Sequence, residues 1–302
     1  MKRVAIGSWN FNIGPYAENP VPFDDVLDRL QEIGFDGIEL GGFNSYPNPE
    51  LLPTKEDRDV FLEKMKAHNL EIAGIVPDLW ATKLINTDDP SDYIAAFTRN
   101  ADFARDLGVK GIRVDTVQPP TIFDEVDYDT AYNRVVKTWQ TCADIAADRG
   151  LYIYWEFEPG FAFNKPTDIV KVHDGVKRDN FGLLYDTCHG QMVAVVGARH
   201  PGEKETLPNQ IEFIKMLSGR INHIHLIDSD DTCHKDAEGN DETSAHPPFG
   251  VGHLDFDAIM PVLVKEDVPT DWWAIDLCFW DDAWGATESC KKFVDELNAK
   301  YG

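Results

Sequence analysis

The chain of 302 residues carries 28 Lys and Arg against 53 Asp and Glu, a formal net charge of -25 at pH 7. So acidic a surface repels a phosphate backbone, whose binding depends on basic side chains that release counterions, and we expect no nucleic-acid partner. No apolar run comes near the roughly 18 residues that a membrane helix needs, so we expect no membrane span. The length and the unbroken composition predict a single domain over residues 1–302.

The amino terminus and the cysteines predict a cytoplasmic protein. MKRVAIGSW turns straight into a strand pattern, without the long apolar stretch and cleavage site of a secretory signal. The five cysteines are odd in number, widely spaced and without a CxxC pair. Reduced thiols fit this pattern best.

Short β-rich runs alternate with amphipathic helical patterns along the whole chain. The predicted strands span residues 4–11, 34–43, 70–76, 111–117, 151–158, 180–187, 221–228 and 271–279. The predicted helices cover residues 22–34, 54–69, 89–107, 128–148 and 165–176, a segment from Leu207, residues 255–266 and a last segment that ends near Leu297. Eight strand and helix cycles predict an α/β fold, a closed (β/α)8 TIM barrel. An open doubly wound sheet is the alternative, but no GxGxxG turn follows the first strand.

Four strand ends in the second half carry side chains of the metal-ligand type. They are Glu156, Asp186, His225 and Asp276, on four successive predicted strands. Because the active sites of barrels lie at the carboxyl ends of the strands, these residues receive the functional interpretation first. Three carboxylates and one imidazole form an oxygen-rich set, which predicts one divalent ion, manganese before magnesium, cobalt or zinc.

Each of these residues also has a structural alternative. Glu156 could be half of a buried ion pair, but its aromatic strand offers no nearby Lys or Arg, which favours a metal. Asp186 could simply cap the following turn, and a lone His225 could be a satisfied core histidine. Their neighbouring positions on successive strands favour ligation. Glu158 shares a face with Glu156 and is a candidate substrate or supporting group.

Other residues bear on the substrate. Trp9 and three further tryptophans lie at or after strand ends, where they could stack on a sugar or pack at the rim. Arg113, a basic residue inside a strand, is a candidate substrate group or the partner of a barrel carboxylate. No basic cluster or Gly-rich turn suggests a phosphate site, so we expect a non-phosphorylated substrate.

Two long loops, residues 190–208 and 229–252, predict a lid or a subunit contact. The second loop carries His234, Lys235 and His246, which are interpreted as surface residues.

The segments WEFEPG, YDTCH, HIHLID and GVGHLDF, together with GIEL at the second strand, resemble the sugar phosphate isomerase and epimerase family with a xylose isomerase-like TIM barrel. The resemblance covers essentially the whole chain. It implies a Glu, Asp, His, Glu quartet around one divalent ion, which places the first three ligands on Glu156, Asp186 and His225. It also implies that His189 contacts a substrate oxygen. Asp276 departs from the pattern, because the family usually has Glu there.

The resemblance implies an isomerase or epimerase of a free keto sugar or polyol. The ion would stabilise an enediolate while carboxylates, here Glu156 and Asp276, remove and return a proton. Loss of a β-substituent from the same intermediate would instead make the protein a lyase or dehydratase of a 3-keto sugar, keto-glycoside or keto-inositol. A homo-oligomer is a further expectation. A DNA-repair barrel with three metals is disfavoured by the acidic charge and the lack of extra histidine ligands, and a non-catalytic subunit by the intact ligands.

Overall fold

The computed structural model describes residues 1–43 and 45–302. The ten strands among them are β1 Arg3–Gly7, β2 Gly37–Gly41, β3 Glu71–Val76, β4 Gly111–Val114, β5 Tyr152–Glu156, β6 Phe181–Asp186, β7 Ile221–Leu226, β8 Cys233–Lys235, β9 Asp241–Ser244 and β10 Trp272–Ile275. The α-helices are α1 Phe23–Ile33, α2 Lys55–Ala67, α3 Ser91–Asp106, α4 Tyr128–Ala147, α5 Pro166–Val176, α6 Thr187–Gln191, α7 Gln210–Met216, α8 Phe256–Leu263 and α9 Ala283–Tyr301.

Eight parallel strands close into a barrel in the order β1-β10-β7-β6-β5-β4-β3-β2. The predicted (β/α)8 TIM barrel is therefore confirmed, as one domain. Parallel register brings the carboxyl ends of neighbouring strands to one level, and Asp186 of β6 lies directly beside His225 of β7. Because every strand runs the same way, the strand-end residues meet at one mouth.

Helix boundaries follow the capping signals of the sequence. The Thr54 side chain accepts a hydrogen bond from the Asp57 backbone and the Asp57 side chain accepts one from Thr54, which is the capping box that starts α2. Behind α4 the chain turns at Gly150, whose φ of +69° suits glycine. The predicted start of a helix at Leu207 was early, because Asn209 caps α7 by accepting from the backbone of Glu212.

All eight predicted barrel strands are shorter in the structure, and the early ends of β1 and β10 bear on the mouth of the barrel. After Gly7 the chain enters a 3-10 turn, Ser8–Phe11, where the Ser8 hydroxyl accepts from the Gly41 backbone and Trp9 is buried. The last barrel strand ends at Ile275, so Asp276 is the first residue beyond it. Both departures place a side chain at the barrel mouth instead of within the sheet.

The long connection after β7 is folded against the barrel. Asp228 accepts hydrogen bonds from the backbones of Gly250 and Leu254, which ties both ends of this connection together. Between these ends, β8 and β9 form an antiparallel hairpin. No helix in the described part of the chain is long and apolar enough to cross a membrane.

Candidate metal centre at the barrel mouth

The four predicted strand-end residues converge. Glu156 and Asp186 are the last residues of β5 and β6, His225 lies in β7, and Asp276 follows β10. All four are buried. One ligand-type atom from each lies within 4.8 Å of those of the other three, so the set could hold a metal ion.

Several atoms of this quartet have no hydrogen-bond partner in the described residues. They include Glu156 Oε1, Asp186 Oδ2 and His225 Nδ1, all buried. His225 Nδ1 makes ion-pair contacts rather than hydrogen bonds, at 3.1 Å to Glu156 Oε1 and 3.5 Å to Asp276 Oδ2. Buried polar atoms without partners are unfavourable, and a divalent ion would satisfy them together. The residues therefore fit a single divalent ion.

The electrostatics of the quartet point the same way. Burial, together with the carboxylates of Asp276 and Glu156, raises the pKa of Asp186 well above its usual range. Burial alone would lower the pKa of His225, but Glu39 and Glu156 raise it well above the ordinary value. The quartet therefore carries excess negative charge, which a bound cation would neutralise.

Capping of a turn and metal ligation were alternative interpretations of Asp186, and its two oxygens allow both. Its Oδ1 accepts from the backbone N–H of His189 at 2.7 Å and so caps α6. Its Oδ2 has no hydrogen-bond partner in the part of the chain described. One oxygen thus holds the helix while the other is available to the centre.

Arg113 is a buried cation among carboxylates. It forms an ion pair with Glu156, lies 3.2 Å from Glu158 and 3.7 Å from Asp115. The alternative that Arg113 is the partner of a barrel carboxylate is therefore confirmed. The expectation that Glu156 has no nearby basic residue was wrong, since β4 lies beside β5 and places Arg113 next to Glu156. Burial raises the pKa of Glu158 to about 8, although Arg113 opposes the shift.

His189 and Trp9 both face the cavity above the quartet. The Nδ1 atom of His189 is hydrogen-bonded to the Ser244 hydroxyl at 2.8 Å, and burial lowers the pKa of His189 to about 3. Trp9 donates its indole N–H to Asp276 Oδ1 at 2.6 Å. These contacts bring both predicted substrate residues to the site, with Trp9 also serving a carboxylate.

The sequence interpretation missed His246. It was assigned to the surface, which was wrong, because it is 4% exposed and lines the cavity. Its Nε2 atom lies 3.6 Å from Asp276 Oδ2 and 3.9 Å from Asp186 Oδ1, and has no hydrogen-bond partner in the described chain. A histidine in an irregular loop gives no periodic signal. His246 is an additional histidine at the centre. The lack of extra histidine ligands is therefore a weaker argument against a DNA-repair barrel.

Glu39 was also overlooked. It is the third residue of β2, fully buried, and contacts both His223 and His225. A signal was available, because a Glu inside the apolar run GIEL is a buried carboxylate that needs a partner.

A cavity of about 570 Å³ opens above the quartet. Aromatic and apolar side chains form one side of it, including Phe43 and Trp80, whose rings stack at 4.7 Å. The hairpin forms part of another side through Asp241, Glu242 and Thr243. Thr243 donates to Glu158, which attaches this loop to the cavity wall, and the predicted function of the loop as a lid or a subunit contact stays a prediction. The three further tryptophans predicted at strand ends are Trp80, Trp280 and Trp284. Trp80 lines the cavity, whereas Trp280 and Trp284 are not among its described lining residues.

The fold and the site together define a (β/α)8 barrel with a buried carboxylate and histidine centre that could hold one divalent ion. The chain belongs to the xylose isomerase-like TIM barrel family, whose model matches residues 27–293.

Similar proteins include sugar and polyol enzymes by their names. Inosose dehydratase 2 of Bacillus cereus is 25% identical over 268 residues, which cover 83% of this chain and 80% of that protein. The structure of the IolI protein with a bound zinc atom matches with a TM-score of 0.73 and 22% identity, over 100% of this chain and 99% of that one. D-psicose 3-epimerase matches with a TM-score of 0.70 and 16% identity, over 100% of both chains. The two structures show the shared fold.

Proposed function

We propose that the protein is a divalent-metal-dependent enzyme that removes a proton from the carbon beside the carbonyl of a keto sugar or cyclic keto polyol. The observation that carries this proposal is the convergence of Glu156, Asp186, His225 and Asp276 below one cavity. A bound divalent ion would act as a Lewis acid that stabilises negative charge developing on the substrate oxygens. Manganese is the ion that we propose, with zinc, cobalt and magnesium as alternatives.

The protein groups supply the proton transfers and the orientation. Glu156 and Asp276 are the proposed bases, because both carboxylates reach the centre of the mouth. His189, with a low pKa, is a neutral imidazole at neutral pH and can hydrogen-bond a substrate oxygen. The hairpin residue Thr243 and the buried Arg113 hold Glu158 at the cavity wall.

Isomerisation or epimerisation is one outcome of this proton removal. Glu156 is the last residue of β5 and Asp276 follows β10, and β6 and β7 lie between these two strands in the barrel. Two carboxylates on different sides of a sugar would allow removal on one face and return on the other, which inverts the carbon. Return to the neighbouring carbon would interconvert an aldose and a ketose.

Elimination of water is the second outcome, and the sequence relatives favour it. The 25% identical relative over 83% of the chain is named an inosose dehydratase, which indicates a cyclic keto polyol. In that reaction the C–H proton passes to a carboxylate, the electron pair forms a double bond, and the β-hydroxyl leaves with a proton as water. Asp276 has one methylene fewer than the Glu implied by the family resemblance, which supports a change in how this carboxylate meets the substrate.

The lining favours an uncharged substrate. Five carboxylate side chains of the described residues, Glu158, Asp236, Asp241, Glu242 and Asp276, border the cavity. Two arginines border it within the described chain, and Arg113 is already paired with carboxylates. A phosphate group would need unpaired cationic donors, so a free sugar or polyol suits this lining better.

Deuterium exchange tests the proposal. The protein loaded with manganese is incubated in deuterium oxide with free ketoses, 3-keto sugars and keto-inositols, and each C–H signal is followed by NMR. Exchange with a new epimer or aldose supports the isomerase, whereas exchange with loss of a hydroxyl and a new alkene signal supports the dehydratase. Loss of exchange after chelation supports the need for the ion. If the loaded protein exchanges no C–H proton in any of these compounds, the proposal is contradicted.

A further inference from the structure

Glu39 bridges two histidines at the centre of the barrel. Its Oε1 lies 2.5 Å from His223 Nε2, and its Oε2 lies 2.8 Å from His225 Nε2. All three side chains are fully buried. Both carboxylate oxygens are therefore used by imidazoles, and one of those imidazoles belongs to the quartet.

This contact determines which nitrogen of His225 is available. A carboxylate only accepts hydrogen bonds, so its neighbours His223 and His225 each donate from Nε2. In a neutral imidazole with hydrogen on Nε2, the lone pair is on Nδ1. In His225, Nδ1 is the atom that faces Glu156 Oε1 at 3.1 Å and Asp276 Oδ2 at 3.5 Å.

His223, the second partner of Glu39, holds the carboxylate in place and is not a member of the quartet. The ring of His223 stacks on Tyr154 with a centroid distance of 4.5 Å and an interplanar angle of 15°. The Thr270 hydroxyl lies 3.4 Å from His223 Nδ1. Stacking and this contact fix one oxygen of Glu39, which directs the other at His225.

The barrel makes room for this carboxylate. Glu39 lies level with Gly7 of β1 and Gly74 of β3, so both neighbouring strands carry glycine beside it. A Cβ atom at Gly74 would lie 3.0 Å from Glu39 Oε1 and would also clash with the Tyr154 hydroxyl. Glycine at Gly74 thus leaves the space that the bridge occupies.

We propose that Glu39 is a positioning residue that fixes the tautomer and the ring orientation of His225 for binding a divalent ion. This inference deepens the proposed function and rests on its metal centre. A carboxylate behind a ligand histidine orients the ring and strengthens its bond to the ion, and loss of such a partner typically weakens metal affinity by about 10- to 100-fold.

Glu39→Gln tests the proposal with an isosteric change. The amide oxygen can replace one carboxylate oxygen as an acceptor, but the NH2 group that replaces the other oxygen is a donor and cannot accept from the second imidazole, so the bridge cannot form as before. Titration calorimetry with zinc alone and with manganese alone should show about 10- to 100-fold weaker binding than in the wild-type protein. No substrate is needed for this measurement.

Two control variants separate positioning from simple destabilisation. His223→Gln replaces the imidazole by an amide whose NH2 group can still donate to Glu39 Oε1, so Glu39 keeps its orientation towards His225 and we expect near wild-type metal affinity. Trp139→Phe removes the buried hydrogen bond to the Tyr93 hydroxyl, outside the centre, and should lower stability without lowering metal affinity. An equal loss of affinity in all three variants would overturn the proposal.

Nitrogen-15 NMR of the histidine side chains provides a second readout on the wild-type protein. Hydrogen on Nε2 of His225 in the zinc-loaded protein is expected, and hydrogen on Nδ1 would refute the proposal even where Glu39→Gln fails to fold. Unchanged affinity in a folded Glu39→Gln would also refute it while leaving the metal centre intact. Absence of metal binding by the wild-type protein would instead remove the proposed function, and this inference with it.

Discussion

Trp9 and Asp276 are joined by a hydrogen bond of 2.6 Å between the indole N–H and Oδ1. Trp9 lies in the 3-10 turn that follows β1, and Asp276 follows the neighbouring strand β10. This bond occupies one oxygen of Asp276 and leaves Oδ2 directed at His225 and His246, at 3.5 and 3.6 Å. An aromatic residue expected to contact substrate thus also sets the orientation of a carboxylate.

Trp9→Phe should weaken metal binding. The change removes the N–H donor but keeps an aromatic ring, so Asp276 loses a bond to an ionised group worth about 1.5–3 kcal/mol. We expect metal affinity to fall by about tenfold, measured by calorimetry with zinc or manganese. Trp284→Phe is the matched control, because Trp284 stacks on Phe11 instead. Equal affinities in the two variants would show that the Trp9 bond does not orient Asp276.

His225→Ala should abolish stabilisation by metal. A ligand that binds only the folded state at 100 times its Kd stabilises it by about 2.7 kcal/mol, and a chelator reverses this gain. Urea unfolding with and without zinc should show such a gain for the wild-type protein and none for the variant. His68→Ala is the control, since His68 contacts Lys64 and Asp28. A full metal-dependent gain in His225→Ala would remove His225 from the centre.

The regular part of the molecule could be predicted from the sequence. Strand and helix alternation gives the barrel, and parallel strands in a closed barrel bring their carboxyl ends together. Glu156, Asp186 and His225 needed only this rule to be placed near one another. Asp276 followed from the same rule, although its strand ends one residue earlier, at Ile275.

Contacts across the barrel and contacts from loops could not be predicted. Glu39 contacts His225 although 186 positions separate them in the sequence, because the strands that carry them belong to one closed barrel. Arg113 reaches Glu156 because β4 and β5 are neighbours in register, which residue types alone do not reveal. His246 lies in an irregular segment, whose conformation depends on the bonds of Asp228 to the backbone.

Gly74→Ala should destabilise the fold and disturb the Glu39 bridge. The added methyl group would clash with the Tyr154 hydroxyl and crowd Glu39 in a closely packed barrel interior. Overpacking of this kind usually costs about 1–3 kcal/mol. Urea unfolding measures the loss, with Gly42→Ala as control, because its new methyl group would have its nearest neighbour at an ordinary 3.6 Å. Equal stabilities would mean that the interior at Gly74 is loosely packed.

His246→Gln should weaken substrate binding while leaving metal affinity near the wild-type value. Burial lowers the pKa of His246, so a neutral imidazole presents Nε2 to the cavity while Nδ1 contacts Cys278 Sγ at 3.1 Å. Its ring lies perpendicular to that of His189 with centroids 4.7 Å apart, which lets two imidazoles contact neighbouring substrate hydroxyls. Loss of one such hydrogen bond, worth about 0.5–1.5 kcal/mol, should raise KM several-fold with a smaller change in kcat.

The control for His246→Gln is His253→Gln, in the same loop but half exposed and paired with Asp231. Steady-state kinetics with the substrate found by deuterium exchange, and calorimetry with zinc, are measured on both variants. A raised KM confined to His246→Gln supports a substrate contact. A fall in metal affinity as large as that of His225→Ala would make His246 a metal ligand instead, because Nε2 is 3.9 Å from Asp186 and 3.6 Å from Asp276.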